Sequence, residues 1–219
     1  MTLANKKSSK EINAHLENEI SKSIQGEVKF DEVYKQMYST DGSIYSMTPI
    51  GVTLPKNADD VSAIIDICNR NNTAILPRGG GTSLSGQTVN SAVVIDFSKY
   101  MHNVLEINPE ENYVITEPGI TIDNLNQKLK YTNLHFTPDP STKSRANVGG
   151  AMGNNSCGSH SVIYGKTVDQ VREMEVILSD SSKAYFEEMS GKRLEDKISL
   201  ENLEGKIYRD VMSMSSKYY

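Results

Sequence analysis

The sequence predicts an α+β fold built from two α/β subdomains, residues 27–97 and 98–205, flanked by an N-terminal helical extension (1–26) and a C-terminal helix or tail (206–219). Three observations carry that prediction. A strand–helix–strand–loop–strand pattern ends near residue 97, and a hairpin followed by a capped helix begins a second pattern after it. Each half also holds one glycine-rich stretch, at 77–87 and within 137–166. Long irregular stretches inside a domain are usually functional. At 219 residues the chain can form one large domain or two small ones.

The elements follow in order. Ile12, Leu16 and Ile20 recur at four-residue steps and predict a helix over Lys10–Ser23. Tyr34–Tyr45 has a turn signal at Asp41-Gly42 and no clear period. Val52–Pro55 reads as a short strand. Asn57 caps a helix to about Asn71, with Asp59 and Asp60 in its first turn and Val61, Ile64, Ile65 and Cys68 as its buried stripe. Strands at 74–76 and Ala92–Asp96 enclose the first glycine loop. Val104–Ile107 and Tyr113–Thr116 form a hairpin across Asn108-Pro109-Glu110-Glu111. Thr121 caps a helix over Ile122–Lys130. Beyond the second glycine-rich stretch come a strand at Val171–Leu178, a turn at Asp180–Ser182, a partner strand at Ala184–Glu188 and a terminal helix at Leu200–Met214.

Composition removes several classes. A net charge of −5 argues against a nucleic-acid binder with a basic surface. No apolar run approaches the ~20 residues of a membrane-spanning helix, and Met1–Ile20 lacks the hydrophobic segment of a secretory leader. Cys68 and Cys157 are far apart, without zinc-like spacing, and no metal site is expected. A cytoplasmic setting follows, with peripheral association at the inner membrane face as its variant.

The stretch Pro77-Arg78-Gly79-Gly80-Gly81-Thr82-Ser83-Leu84-Ser85-Gly86-Gln87 carries the most chemistry. Glycine reaches backbone conformations closed to other residues, so consecutive N–H groups can converge on an anion. Two familiar phosphate loops fail on spacing. Counting from Gly79, the sixth position of a dinucleotide fingerprint is Leu84, and Gln87 stands where a triphosphate loop needs Lys. His160 likewise stands where a loop ending in Gly165-Lys166-Thr167 needs its first glycine. In the second stretch, Gly149, Gly150, Ala151, Gly153, Ser156 and Gly158 leave room for a flat ligand against bare backbone. Asn154 and Asn155 add donors and acceptors for a heterocycle edge. A phosphate cradle and a flat-ring cradle on two subdomains point to a long dinucleotide spanning both.

These motifs resemble a known family. Pro-Arg-Gly-Gly-Gly-Thr-Ser-Leu-Ser-Gly, followed by Pro-Asp-Pro-Ser, Val-Gly-Gly, Asn-Asn-Ser-Cys-Gly and Tyr-Gly-Lys-Thr, is similar to the FAD-linked oxidases with a vanillyl-alcohol-oxidase/PCMH-type flavin domain. Within that family the likeness is to the D-lactate, glycolate and 2-hydroxyglutarate dehydrogenase branch, over residues 45–210. The cell-wall nucleotide-sugar reductases match less well around Pro138–Ser141. The resemblance implies a PCMH-type domain with FAD between its two subdomains. It implies that Arg78, Gly79, Gly80, Gly81, Thr82, Ser83, Ser85, Gly86 and Gln87 wrap the FAD pyrophosphate. It places Pro138, Asp139, Ser141, Gly149, Gly150, Asn154, Asn155 and Gly158 along the flavin and ribityl chain, and Ile163, Tyr164, Gly165 and Val168 around the adenosine or ribityl side. Covalent members carry His just after the glycines. Thr82 stands there in this chain, which implies non-covalent FAD.

The family's catalytic base and carboxylate-binding Arg lie in a further substrate domain, and the chain stops at Lys217-Tyr218-Tyr219, where that domain begins. The resemblance therefore implies a small-molecule substrate held by a missing C-terminal domain or partner subunit, and an iron–sulfur partner or domain beside it, with the electron acceptor left open. The expected function is hydride transfer from a small 2-hydroxy acid to FAD in the complete enzyme. A truncated FAD- or nucleotide-binding module without turnover is the alternative, and no catalytic residue can be named. Cys157 reads as a small buried thiol, and His160, with no carboxylate partner identifiable in sequence, as structural or loop-capping. Tyr218-Tyr219 reads as a disordered end.

Overall fold

Two runs of apolar residues organise the first half of the chain. β2 (Gly51–Leu54) and β4 (Val93–Asp96) are buried at every position, so neither alternates between a buried and an exposed face. In the computed structural model, which describes residues 9–218, they form the centre of a four-stranded sheet of order β1-β2-β4-β3. β1 (Glu27–Lys29) pairs antiparallel with β2, and β2, β4 and β3 (Ile75–Arg78) run parallel. Thr53, fully buried, donates its hydroxyl to Val94 O at 2.9 Å. The first eight residues of the expected extension and Tyr219 lie outside the described residues.

α1 (Ser9–Ser23) and α3 (Ala58–Arg70) pack together beside this sheet. Leu16, Ile20 and the predicted stripe Val61, Ile64, Ile65 and Cys68 are buried, while Ile12 is exposed. Burying a Leu or Ile side chain is worth about 1.5–3 kcal/mol. Asn57 caps α3 through Asp60 N, as the sequence indicates. Asp60 itself is buried and accepts from Gln25 N, Gly26 N and Lys56 N at 2.9–3.0 Å, tying the extension to the sheet layer.

The 34–45 stretch, without a clear period in sequence, opens on the second half of a helix. α2 (Glu32–Met37) has Asp31 as its cap, accepting from Val33 N and Tyr34 N. It is only six residues long and buries none of them, so it shows no apolar periodicity.

The next layer starts with the hairpin of β5 (Val104–Asn108) and β6 (Tyr113–Thr116), with Asn112 at φ 56° in its turn. α4 (Ile122–Leu129), capped by Thr121, buries Ile122, Leu125 and Leu129 in a cluster with Ile120, Ala146, Val148 and Ala151. The last two belong to α5 (Val148–Asn154), which lies inside the expected loop. α6 (Ser161–Tyr164) and a 3-10 turn at Thr167–Gln170 follow.

The chain divides into two compact units, one through Gln170 and one from Val171. In the second unit β7 (Glu173–Ile177) and β8 (Lys183–Glu187) pair antiparallel, with Ser181 at φ 66° in the predicted turn. α7 (Lys192–Ile198) and α8 (Leu203–Tyr218) complete it, joined by Arg209 Nη1 donating to Ile198 O and Leu200 O at 2.6 Å. Tyr218, expected to be disordered, is the last residue of α8. No described helix is long and apolar enough to cross a membrane.

Candidate functional site

The first glycine loop leaves the carboxyl end of β3. Among the described residues no acceptor takes the main-chain N–H groups of Gly79, Gly80, Gly81, Thr82 or Ser83. Five consecutive main-chain donors without a protein acceptor are available to an anion, since main-chain donors otherwise seek partners. Gly81 sits at φ 63° and Gly86 at φ 75°, where other residues are strained. Gly80 has a different constraint: a Cβ there would lie 2.1 Å from Arg145 O.

Side chains hold this loop from beneath. Arg78 Nη1 donates to Tyr38 O at 3.2 Å and Thr88 O at 2.8 Å, and Nη2 donates to Thr40 O at 2.8 Å. Its guanidinium also lies over the Tyr38 ring, 5.1 Å from the centroid. Burial lowers its pKa, with Tyr38, Asp41 and Asp96 opposing. Tyr38 donates its hydroxyl to Asp96 Oδ2 at 2.6 Å, and burial followed by that bond raises the phenol's pKa. Asp41 Oδ2 accepts from Thr88 Oγ1 at 2.8 Å and Oδ1 from Ser43 N at 2.8 Å. Burial pushes the Asp41 carboxyl up, but these donors outweigh it and hold it below the usual range. Ser83 Oγ accepts from Ser85 N and Gln87 N, turning the loop's far end back on itself. Arg78 and Ser83 thus shape the loop, and the main chain is left to meet a ligand.

The second glycine-rich segment is held differently. Gly149 and Gly158 are close-approach glycines: a Cβ would lie 2.6 Å from Pro118 Cβ and 2.2 Å from Asp139 O. Gly150 and Gly153 face open space, with nothing within 4 Å. Asn155 ends α5 in the left-handed conformation at φ 47°, its Oδ1 accepting from Val168 N at 3.0 Å. Pro138 is buried, while Ser141, Ile163, Tyr164 and Val168 are exposed. Gly165, at φ 81°, returns its N–H to Ser161 O. The two segments meet where Gln87 Nε2 donates to Asn154 Oδ1 at 3.3 Å.

Asp139 has a structural task. It accepts from His160 N at 3.1 Å and Ser159 Oγ at 3.2 Å, and its Oδ2 lies 2.5 Å from His160 Nδ1. The His160 main-chain N–H, then the imidazole, hold this carboxyl below the usual range. His160 therefore has the carboxylate partner that sequence could not supply, because it lies 21 residues away. Cys157 is exposed, not buried as its type suggests. It follows the left-handed turn that ends α5, where the chain runs over the surface. Sequence reasoning also missed Tyr38, Asp41 and Thr88. Only the Asp41-Gly42 turn signal marked their neighbourhood. Among the described residues no group of three His, Cys, Asp or Glu is placed to hold a metal.

Residues 49–183 match the family described as the FAD binding domain. The chain belongs to that family. Its cofactor is FAD, and five free amides together with an open glycine face fit a pyrophosphate-bearing group with a flat ring. The FAD-binding domain is 40% identical over 143 residues to D-2-hydroxyglutarate dehydrogenase of Escherichia coli K12, covering 64% of this chain and 14% of that protein. It is 34% identical over 189 residues to the Pseudomonas putida D-2-hydroxyglutarate dehydrogenase, covering 85% and 19%. Against glycolate oxidase subunit GlcD of Bacillus subtilis it is 33% identical over 162 residues, covering 72% and 34%. The chain thus spans about a third or less of the length of these curated relatives. In fold it is similar to p-cresol methylhydroxylase (TM-score 0.67, 17% identity, covering 80% of this chain and 35% of that one). It is also similar to alkyldihydroxyacetonephosphate synthase (TM-score 0.70, 19% identity, covering 94% and 38%). The α+β, PCMH-type fold expected from sequence is the fold observed.

Proposed function

We propose that this domain holds FAD non-covalently for a dehydrogenase that takes a hydride from the α-carbon of a small 2-hydroxy acid. The run of unpaired amides from Gly79 to Ser83 supports this reading most directly. In it the amides bind the pyrophosphate, with subdomains 27–97 and 98–205 on either side. The bare face at Gly150 and Gly153 accepts the ring system, and Gln87 with Asn154 joins the two walls. Thr82, lacking a nucleophilic ring nitrogen, leaves the cofactor unlinked. FAD supplies the hydride acceptor, and the chain orients it and shields it from water. Substrate binding, the catalytic base and any iron–sulfur acceptor belong to parts of the enzyme outside these residues.

A second reading is a FAD-holding module without turnover of its own. One experiment tests both. Purified chain incubated with FAD should retain yellow flavin through gel filtration and release it intact on acid precipitation. Colourless protein with no thermal shift in FAD would sink the proposal. Anaerobic bleaching of the bound flavin by D-2-hydroxyglutarate, D-lactate or glycolate would remove the module reading. No bleaching, with FAD bound, would favour it.

A further inference from the structure

One buried side chain joins the cofactor loop to the second layer, and neither motif accounts for it. Asn147 is 3% exposed and occupies the residue before α5, where Asn normally caps a helix through its own carbonyl. Here it makes no cap bond. Its carboxamide turns the other way. Nδ2 donates to Gly119 O, and the main chain of Asn147 bridges Thr121. Oδ1 lies under the cofactor loop and accepts from no N–H or O–H among the described residues.

What faces that oxygen is glycine. A Cβ at Gly79 would come within 2.5 Å of Asn147 Oδ1, and one at Gly80 within 3.3 Å. At Gly79 the Cα–H bond therefore points at Oδ1, the geometry of a weak Cα–H···O contact. Only a residue without a side chain can stand there. A cleft of about 320 Å³ opens beside the loop, bordered by Gly80, Ser98, His102, Thr121 and Arg145 as well as Asn147. Without the carboxamide the loop has room to sink toward it.

We infer that Asn147 is a positioning residue for FAD. Its carboxamide, fixed at one end by Gly119 O, sets the height of the Gly79–Gly80 turn and so the convergence of the amides from Gly79 to Ser83. The inference rests on those amides being the pyrophosphate cradle. A buried carbonyl oxygen without a conventional donor is costly. That cost is consistent with a side chain kept for the shape it imposes on the loop.

The test is a double-mutant cycle in the full chain with Asn147→Ala and Gly79→Ala, read by FAD affinity and by urea unfolding without FAD. Asn147→Ala should weaken FAD binding about tenfold or more under conditions where unfolding shows it fully folded. Gly79→Ala should do more damage in the native background than beside Asn147→Ala, because the second change empties the space its methyl needs. If the alanine variant is unstable, FAD affinity lowered about tenfold in Asn147→Ser, with the urea midpoint of the free chain unchanged, would support the same role. Additive costs, or FAD affinity within about twofold of native in Asn147→Ala, would overturn this inference alone. A native chain that binds no FAD would overturn it together with the functional reading.

Discussion

In the 79–83 loop glycine lets main-chain N–H groups turn out of the protein, whereas at Gly149 and Gly158 it lets stretches of chain close on each other. The supporting side chains differ in the same way. Arg78 and Asp41 bond to residues outside the 79–83 run and Ser83 Oγ bonds the loop's far end, leaving the 79–83 amides free. Asp139 and Asn155 stitch the second segment to itself. One segment leaves amides unpaired and the other leaves an open glycine face, although both read as glycine, serine and asparagine. Glycine content alone does not separate the two uses; what surrounds each Cα does.

The largest effect should come from breaking the first use of glycine. Gly80→Val places a branched side chain where even a Cβ meets Arg145 O at 2.1 Å. Overpacking of this kind costs about 1–3 kcal/mol, and the loop must move, taking the amides with it. FAD binding should fall by about a hundredfold or more, measured by flavin fluorescence quenching, and the urea midpoint of the free chain should fall too. Native-like affinity in this variant would show that the amides do not form the cradle.

A smaller and more selective effect is expected at Gly150, where a Cβ would have no neighbour within 4 Å. Gly→Ala inside a helix stabilises by roughly 0.5–1 kcal/mol, so Gly150→Ala should leave the free chain as stable as native or slightly more so. If a flat ring lies on that face, the added methyl should weaken FAD by about tenfold. Calorimetric titration beside thermal unfolding would show the two quantities moving in opposite directions. Stability and affinity falling together would mean that Gly150 is a packing glycine like Gly149.

Much of this was legible in sequence. The apolar stripe of α3 and the Asn57 and Thr121 caps follow from period and capping chemistry, which act over a few residues. The two glycine-rich segments were visible for the same reason, as local runs of small residues. What stayed hidden depends on residues far apart in the chain. The partners of Arg78 are carbonyls at positions 38, 40 and 88, and the partner of His160 is at 139. Asn147 carries no signal of its own in sequence, because nothing local shows that its amide turns toward Gly79 and Gly119. α2 and α5 are too short to show a period.

The smallest predicted effect concerns the clasp of the second segment, and it depends on pH. Asp139 titrates below its ordinary value because the His160 main-chain N–H, followed by the imidazole and Ser159, favours the carboxylate. A group whose folded pKa lies below its unfolded value of about 3.9 contributes stability above that value. It loses that contribution as pH falls through the folded pKa. Asp139→Asn lacks this titration and keeps a carbonyl that can still accept one N–H. The native chain should therefore be the more stable of the two near neutral pH, and their urea midpoints should draw together as pH is lowered into the carboxylate range. The other carboxylates with lowered pKa values, Asp41 and Asp180 among them, are common to both proteins and drop out of the difference. The first loop makes no contact with Asp139 in this bonding pattern, so FAD affinity near neutral pH should fall far less than in Gly80→Val. A difference in midpoint that stays constant down to acid pH would show that Asp139 acts by shape alone, as Gly158 does against its backbone.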